Sequence, residues 1–257
     1  DRALVPTETL SLDGDHATAH WRVTELEHCG LGHSFTLVHR DGRQLRTRTL
    51  LPGMFNVANG ALAALMVLAG GADLDALQRA LDSKDPLSVA VPGRMQVVGE
   101  SPVAVVDFAH NSDALAKALD SIRPGEQGRR IVVFGATGER DKTKRPDMGA
   151  VAARHADIVI VTDDDPHGED PAPIRDQVAS GAQHVLDSER PQVQLFNIAP
   201  RAKAVEFAVS LAGANDAILV AGRGHEVSQD VAGIDVELDD RVELANALNL
   251  HGFVTKS

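Results

Sequence analysis

Four polar segments, three of which contain glycine, follow apolar runs that have the composition of β-strands. The segments are residues 107–111 (DFAHN), 135–146 (GATGERDKTKRP), 162–171 (TDDDPHGEDP) and 222–226 (GRGHE). A shorter segment, residues 92–94 (PGR), lies upstream of them. In an open α/β sheet, ligands bind outside the carboxyl ends of the strands, where the connecting loops gather. We therefore predict that these segments assemble into one binding site.

The segment 135–146 concentrates positive charge in a loop that also contains glycine. Its cations are Arg140, Lys142, Lys144 and Arg145. Arginine can bind a carboxylate or a phosphate in bidentate fashion, and glycines let backbone N–H groups approach an anion. The alternative is a solvated surface loop in which Glu139 and Asp141 are the local partners of these cations. The position of the loop after a buried strand favours the anion-binding interpretation.

The segment 162–171 has the opposite charge. For an isolated run of three acids, Asp163, Asp164 and Asp165, an Asx turn with a helix N-cap is the favoured explanation, although the concentrated negative charge would also suit an ammonium group or a hydrated Mg²⁺. Nearby histidines could act as ligands or bases, but their spacing does not match a zinc site. We predict no metal site in this chain.

Two motifs are missing from the sequence. There is no G-x-x-x-x-G-K-[ST], so the chain has no Walker-type phosphate loop of its own. There is also no G-x-S-x-G nucleophile elbow. Nucleotide chemistry would need a phosphate-binding loop from elsewhere, and we predict no catalytic residue within the chain.

The composition limits the partners. With 25 basic and 37 acidic residues among 257, the formal charge is −12, which opposes binding to nucleic acid or to anionic membranes. Cys29 is the single cysteine, which excludes an intramolecular disulfide and a cysteine zinc cluster. No apolar run approaches the roughly 20 residues of a membrane-spanning helix, and residues 1–5 do not resemble a signal peptide. We expect a soluble, cytoplasmic protein.

The elements that would position these segments change in type near residues 84–92 (KDPLSVAVP), which we interpret as a linker because proline blocks helix continuation. Before it, Asp41-Gly42 is a hairpin-turn signal. The strands predicted there are 10–12, 20–23, 34–38 and 44–50, and the helices are 56–68 and 74–81.

After the linker, apolar strand-like runs alternate with helical patterns. The predicted helices are 112–122, 147–155, 173–181, 201–211 and 239–248. Such alternation indicates parallel strands joined by right-handed crossovers. The predicted fold class is therefore α/β with a mostly parallel sheet.

Taken in order, the motifs resemble those of the Mur ligase family, and most closely its tripeptide synthetases, which add the third, diamino, residue to the peptidoglycan stem peptide. The resemblance runs from about residue 53 to residue 240. It rests on GxFNxxN at 53–59, PGRM at 92–95, VDFAH at 106–110, GERDKTKRP at 138–146, TDDDPHGEDP and GRGHE.

The resemblance implies a domain organisation and a reaction. Residues 1–91 would be the tail of a central α/β ATPase domain, and residues 92–257 a Rossmann-like C-terminal domain that binds the incoming amino acid. The family's phosphate loop, its Mg²⁺-binding acids and its modified lysine would precede Asp1, so the chain alone would be inactive. With ATP and Mg²⁺, the complete enzyme would activate UDP-muramoyl dipeptide as an acyl phosphate, which the amine of the diamino acid attacks.

The resemblance also implies two groups of contact residues. Asn56 and Asn59 would lie near adenine, and the other ATP contacts would be Arg94, Asp107 and His110. The amino-acid contacts would be Arg140, Asp164, Asp165, His167, Gly222 and Glu226. Arg140 would bind the carboxylate of the incoming amino acid, while Asp165, His167 and Glu226 would surround its side chain and amines. Lys142 and Lys144 are candidate phosphate contacts.

The sequence departs from the family pattern at the substrate motif. Enzymes of the family that add meso-diaminopimelate usually carry Asp-Asn-Pro-Arg, whose arginine binds the distal carboxylate. Here the motif reads Asp164-Asp165-Pro166-His167. An added acid and a lost guanidinium suit a distal ammonium, so we predict L-lysine or L-ornithine as the substrate. Arg223 stands where lysine is common, and Phe108 replaces the usual tyrosine.

Three alternatives remain open. A folylpolyglutamate-type ligase would share the ATPase tail, but the GERDKTKRP and DDDPHGEDP segments fit it poorly. A non-catalytic binding module could dock on a separate ATPase subunit. A dinucleotide-binding domain would need G-x-G-x-x-G after its first strand, and the sequence lacks that motif.

Overall fold

The computed structural model describes residues 7–13, 18–83 and 85–256. Lys84, which opens the predicted linker, and residues 1–5, used in the signal-peptide argument, lie outside these ranges. The chain divides into two compact units, Asp1–Val89 and Ala90–Ser257. Each unit is considered by itself.

The first unit contains a small sheet and two helices. Its strands are β1 (Leu10–Ser11), β2 (Trp21–Cys29), β3 (Gly32–His39) and β4 (Gln44–Thr49), and its helices are α1 (Met54–Ala69) and α2 (Leu74–Ser83). Strands β2, β3 and β4 are antiparallel neighbours. The predicted hairpin turn is confirmed, since the N–H of His39 donates to the carbonyl of Arg43 at 2.9 Å and Gly42 has φ +96°.

The core of this unit lies between the sheet and α1. Trp21, Phe35 and Leu37 of the sheet are buried with Val57 and Ala61 of the helix. These helical residues are four apart, so one stripe of α1 faces the strands. The helix is present, but its buried face is not the one predicted from its larger apolar residues, since Leu62 and Met66 are exposed.

The division between the two units, after Val89, lies within the predicted linker, but residues 86–88 of that segment pack as part of the first unit. Residues Pro86–Ser88 form a 3₁₀ turn, and Leu87 packs against the core of the first unit. The hydroxyl of Thr49 donates to the Leu87 carbonyl at 2.8 Å, and the Ser88 hydroxyl accepts from the Leu50 N–H at 2.9 Å. Proline ended the helix, as expected, but the following residues still belong to the unit.

The second unit is built on a six-stranded sheet with the order β5-β6-β10-β7-β8-β9. The strands are β5 (Gln96–Glu100), β6 (Val103–Asp107), β7 (Arg130–Phe134), β8 (Ile158–Val161), β9 (Gln194–Asn197) and β10 (Ala217–Ala221). All neighbours pair in parallel except the edge strand β5, which is antiparallel to β6. The predicted α/β class with a mostly parallel sheet is confirmed.

Helices cover both faces of this sheet. They are α3 (Ser112–Ser121), α4 (Lys144–His155), α5 (Pro171–Ser188), α6 (Arg201–Leu211) and α7 (Asp240–Leu250). Helices α6 and α7 pack on one face, and α3, α4 and α5 form the layer on the other. A small hairpin, β11 (Ser228–Val231) and β12 (Ile234–Glu237), precedes α7. No helix within the described ranges combines the length and the apolar character needed to cross a membrane.

Two helices of the second unit begin earlier than predicted, as does α1 of the first unit, which starts at Met54. Helix α4 starts at Lys144 rather than at residue 147, so Lys144 and Arg145 lie in its first turn and not in a loop. Pro146 is tolerated there because the first N–H groups of a helix have no intrahelical partner. Helix α5 starts at Pro171, where the side chain of Asp170 accepts a hydrogen bond from the Ala172 N–H at 3.0 Å.

Helices α4 and α5 approach each other closely through two glycines. A Cβ on Gly149 would overlap the carbonyl oxygen of Val178, and a Cβ on Gly181 would overlap that of Pro146. Backbone atoms cannot move aside as a flexible side chain can. The spacing of the two helices is therefore set by the absence of these side chains.

We predict that Gly149→Ala destabilises the protein by about 1–3 kcal/mol, the usual cost of overpacking a core. Alanine in an open helical position would instead stabilise by roughly 0.5–1 kcal/mol, so the sign of the effect is diagnostic. Urea unfolding measures it. Gly213→Ala, where a Cβ meets nothing closer than 4.0 Å, is the control. Unchanged stability of Gly149→Ala would contradict the close packing.

Candidate functional site

The four motif segments meet at the carboxyl edge of the second sheet. They follow β6, β7, β8 and β10, which are adjacent in the sheet order. The Gly222 N–H donates to the Asp107 carbonyl at 3.1 Å, and the Gly138 N–H donates to the Asp165 carbonyl at 2.7 Å. The segments therefore contact one another directly through their backbones.

Glycine is required where the upstream PGR segment reaches this cluster. Gly93 and Gly224 have φ of +64° and +56°, in the left-handed region. A Cβ on Gly93 would overlap the backbone between Gly224 and His225, and one on Gly224 would lie 2.7 Å from the Gly93 carbonyl oxygen. The two segments can therefore approach this closely only because both positions are glycine. This close approach places Arg94 beside the 222–226 segment.

Three of the predicted ATP contacts gather around Phe108. The Arg94 guanidinium lies 4.4 Å from the centre of the Phe108 ring, and the His110 ring lies 4.8 Å from it. Asp107, at the end of β6, accepts a hydrogen bond from the Met95 N–H at 2.7 Å. Burial raises the pKa of the Asp107 carboxyl above its usual range. This group combines an exposed cation, an aromatic face and a shielded carboxyl.

The remaining predicted ATP contacts belong to the first unit. Asn56 and Asn59 lie in the first half of α1. The side chain of Asn56 donates to the Pro52 carbonyl at 2.8 Å, and Asn59 is exposed. Their role toward adenine stays a prediction.

The three adjacent aspartates have different environments. Asp163 pairs with Arg175, and Asp165 pairs with the buried Arg223. Asp164 is buried and accepts the Asp165 N–H at 2.8 Å. The expectation of concentrated free negative charge is therefore wrong for Asp163 and Asp165, because each is compensated by an arginine from elsewhere in the chain.

The basic cluster is also divided by its surroundings. Arg145 is fully buried and binds Glu169 at 3.1 Å and Gln177 at 2.9 Å. Its hydrogen bond is the main reason why the pKa of Glu169 falls to about 2. The prediction that Arg145 contributes to an anion-binding loop is wrong, since its charge is used inside the fold.

The two lysines of the cluster have partners as well. Lys142 Nζ lies 3.1 Å from Glu169, and Lys144 Nζ donates to the His110 carbonyl at 3.2 Å. Arg140, in contrast, is exposed and makes no hydrogen bond or ion pair within the part of the chain that the structure describes. Neither Glu139 nor Asp141, the suggested local partners, pairs with it. Arg140 is therefore available to bind an anion.

The last three predicted amino-acid contacts lie around the 222–226 segment. His167 Nδ1 is 2.8 Å from Asp230 of the hairpin. Gly222 has φ +116°, and a Cβ there would lie 2.6 Å from Asp164 Oδ2. Glu226 is partly exposed, and burial raises the pKa of its carboxyl. Among the described residues, no group of three His, Cys, Asp or Glu side chains is placed to hold a metal ion.

Arg201 is a supporting residue that the sequence did not reveal. Both it and Asp240 are fully buried, and they form two hydrogen bonds of 2.7 and 2.8 Å. The same guanidinium donates to the carbonyls of Asp163 at 3.0 Å and Ala221 at 2.8 Å. It thereby joins the loops after β8 and β10. The available signal was its place on the apolar stripe of α6, with Ala204 and Val205.

Comparison with known proteins identifies related sequences. A sequence model of the family described as Mur ligase, glutamate ligase domain, matches residues 93–224. The UDP-N-acetylmuramyl-tripeptide synthetase of Leifsonia xyli subsp. xyli is 38% identical over 256 residues, covering 99% of this chain and 49% of the relative. The UDP-N-acetylmuramoyl-L-alanyl-D-glutamate--2,6-diaminopimelate ligase of Corynebacterium glutamicum is 45% identical over 218 residues, covering 84% and 41%.

A solved structure agrees with these matches. It is that of a UDP-N-acetylmuramoyl-L-alanyl-D-glutamate--2,6-diaminopimelate ligase, with a TM-score of 0.66 and 32% identity. The alignment covers 96% of this chain and 48% of that one. The chain thus spans about half the length of the curated relatives it matches.

We predict that Arg201→Met destabilises the protein by about 3–5 kcal/mol, because it leaves the buried Asp240 carboxylate without its partner. Arg201→Met combined with Asp240→Leu removes both charges and should recover much of that loss. Arg154→Met, which breaks a surface pair with Glu189 whose side chains are 46% and 43% exposed, should cost much less. Equal losses at the two sites, measured by urea unfolding, would contradict the role of Arg201.

Proposed function

The chain belongs to the Mur ligase family, and we propose that it is part of an ATP-dependent ligase that adds a diamino acid to UDP-N-acetylmuramoyl-L-alanyl-D-glutamate in peptidoglycan synthesis. Residues 1–91 would belong to the ATPase domain and residues 92–257 would bind the amino acid. The observation that carries the proposal is the meeting of the Arg140, Asp165 and Glu226 loops at one edge of the sheet.

The proposed role of the second unit is to hold the attacking amine. Amide formation through an acyl phosphate needs that amine in line with the activated carbonyl carbon. Fixing two reactants in this way can lower the barrier by several kcal/mol. Because the sequence carries no phosphate loop, the activation itself would require the ATPase portion of the enzyme, and the chain alone would be inactive.

Arg140 is the proposed ligand of the amino acid's carboxylate. It is exposed and, unlike Lys142, Lys144 and Arg145, it makes no hydrogen bond or ion pair among the residues described. Lys142 and Lys144 would reach a phosphate only by leaving Glu169 and the His110 carbonyl. The carboxylate of the substrate would therefore meet Arg140 first.

The side chain of the substrate would end in an ammonium group. The arginines near the 222–226 segment, Arg201 and Arg223, are fully buried and paired with acids, and position 167 is a histidine bound to Asp230. The exposed guanidiniums of the site, Arg94 and Arg140, are proposed here for ATP and for the substrate's first carboxylate, so no further unpaired guanidinium among the described residues of this neighbourhood is left for a distal carboxylate. Glu226 offers a partly exposed carboxylate. This supports L-lysine or L-ornithine over meso-diaminopimelate.

The names of the relatives give no support to lysine or ornithine, and most of them, like the solved structure, specify 2,6-diaminopimelate. The Corynebacterium glutamicum protein is named for 2,6-diaminopimelate, whereas the Leifsonia xyli protein is named only as a tripeptide synthetase. The choice of amino acid therefore rests on the charges of the site in this chain.

The residues around Phe108 fit the polyphosphate of ATP. Arg94 and His110 are exposed and flank a ring whose neighbouring carboxyl, Asp107, has a raised pKa. A carboxyl with a raised pKa keeps its proton to higher pH than an ordinary one, and so repels phosphate less. Asn56 and Asn59 are the proposed adenine contacts. Mg²⁺ would be held mainly by acids of the ATPase portion.

A second function is favoured by one observation, the missing phosphate loop. The chain could be a binding subunit that docks on a separate ATPase. Restoring ligase activity by adding a phosphate-loop partner would be common to both proposals. The main proposal requires that this chain bind the amino acid when no ATPase partner is present.

We predict that L-lysine and L-ornithine shift the amide signals of the Arg140, Asp165 and Glu226 loops in NMR titrations. Arg140→Gln should weaken binding about tenfold or more, the usual effect of losing a charge-assisted hydrogen bond. Arg79→Gln, at an exposed position of α2, is the matched control. Preferential binding of meso-diaminopimelate would contradict the ammonium argument, and unchanged affinity of Arg140→Gln would contradict the carboxylate site.

A further inference from the structure

We propose that Asp165 and Arg223 form a charge-compensated pair that holds Arg223 within ion-pair range of Glu226 but out of hydrogen-bond contact with it, and so leaves the hydrogen-bonding capacity of Glu226 for the distal ammonium of the substrate. The inference rests on the proposed function. It assigns the specificity for a distal ammonium to the Asp165–Arg223 pair acting on Glu226, and not to a contact between Asp165 and the substrate. Asp165 would act as a positioning residue that does not touch the substrate.

The geometry places one cation between two carboxylates. Arg223 is fully buried, and its Nη1 donates to Asp165 Oδ1. The same Nη1 lies 3.8 Å from Glu226 Oε2, beyond hydrogen-bond distance. Asp165 Oδ1 also accepts the Asp230 N–H at 3.1 Å, which holds the carboxylate in place.

Arg223 is incompletely satisfied in this position. Its Nη2 donates to the Ser228 carbonyl, but its Nε is buried and has no hydrogen-bond partner. A buried guanidinium needs a counter-charge and as many acceptors as it can reach. Losing Asp165 would therefore drive Arg223 toward the next carboxylate, which is Glu226.

The two residues of the pair are also two of the departures from the family pattern. Asp165 stands where asparagine is usual, and Arg223 stands where lysine is common. Their direct contact means that the extra negative charge of Asp165 is neutralised within the protein. It adds no free charge for a ligand, so recognition of an ammonium would depend on Glu226.

The charged groups that influence Glu226 support this assignment. Burial raises the pKa of Glu226, Asp165 and Asp164 raise it further, and Arg223 and His225 lower it. Removing the charge of Asp165 would take away one raising influence and strengthen the lowering influence of Arg223. Both changes would lower the pKa of Glu226.

The first measurement is the pKa of Glu226. It is obtained from the pH dependence of the carboxyl ¹³C NMR signal of Glu226, in the whole chain without ligand. Asp165→Asn should lower this pKa, and adding Arg223→Gln to it should raise the pKa again. Arg223→Lys, which keeps the charge, should stay near the wild type. Asp113→Asn, which changes an exposed acid paired with Lys117 on α3, is the control. Amide spectra verify that each variant is folded.

The second measurement is the affinity for L-lysine. Asp165→Asn should weaken binding at least tenfold, and Asp165→Asn combined with Arg223→Gln should restore most of it. If Asp165 bound the ammonium directly, both variants would lose affinity equally, and the inference would be wrong.

The two measurements separate the inference from the proposed function. An unchanged Glu226 pKa in Asp165→Asn would overturn the pairing argument even if lysine binds. A lowered pKa with no lysine binding by any variant would support the pairing and overturn the proposed function of the site.

Discussion

The buried guanidinium of Arg201 is the interaction on which the arrangement of the site depends. It pairs with Asp240 at the start of α7 and donates to the carbonyls of Asp163 and Ala221. Strands β8 and β10 are not neighbours, since β7 lies between them. Without this bridge, the direct link between the loops that follow these two strands would depend on the Asp165–Arg223 pair and its neighbouring hydrogen bonds, so the position of each loop would be less constrained.

The charge of the site follows from the same kind of pairing. Arg145, Arg175 and Arg223 each neutralise an acid of the loops, so most charges that the sequence places there are used to fix the loops. Arg140 is exposed and has no ion pair or hydrogen bond among the described residues, and Glu226 is partly exposed and lies outside hydrogen-bond distance of Arg223. A free diamino acid presents the complementary pair, a carboxylate and a distal ammonium. The proposed specificity thus depends on Arg140 and Glu226, whose charges are not used in the ion pairs that fix the loops.

The elements with a regular apolar pattern were predicted from the sequence. The features that depend on partners far away in the sequence were missed. The central strands were predicted because both their faces are buried, which gives continuous apolar runs. Strand β9 and the β11–β12 hairpin are short and partly exposed, so their hydrophobic pattern in the sequence is weak. The burial of Arg145 was missed because its partners Glu169 and Gln177 lie 24 and 32 residues away. The cluster of motif loops was predicted, but which of its charges are free was not.

The central claim is that Arg140 and Glu226 bind opposite ends of a diamino acid, and a crystal structure of the chain with L-lysine tests it most directly. The account predicts the carboxylate of lysine within hydrogen-bond distance of the Arg140 guanidinium and its ε-ammonium within hydrogen-bond distance of Glu226, with the Asp165–Arg223 pair intact. Lysine bound with its ε-ammonium on Asp165, or with Arg223 turned to its carboxylate, would contradict the account.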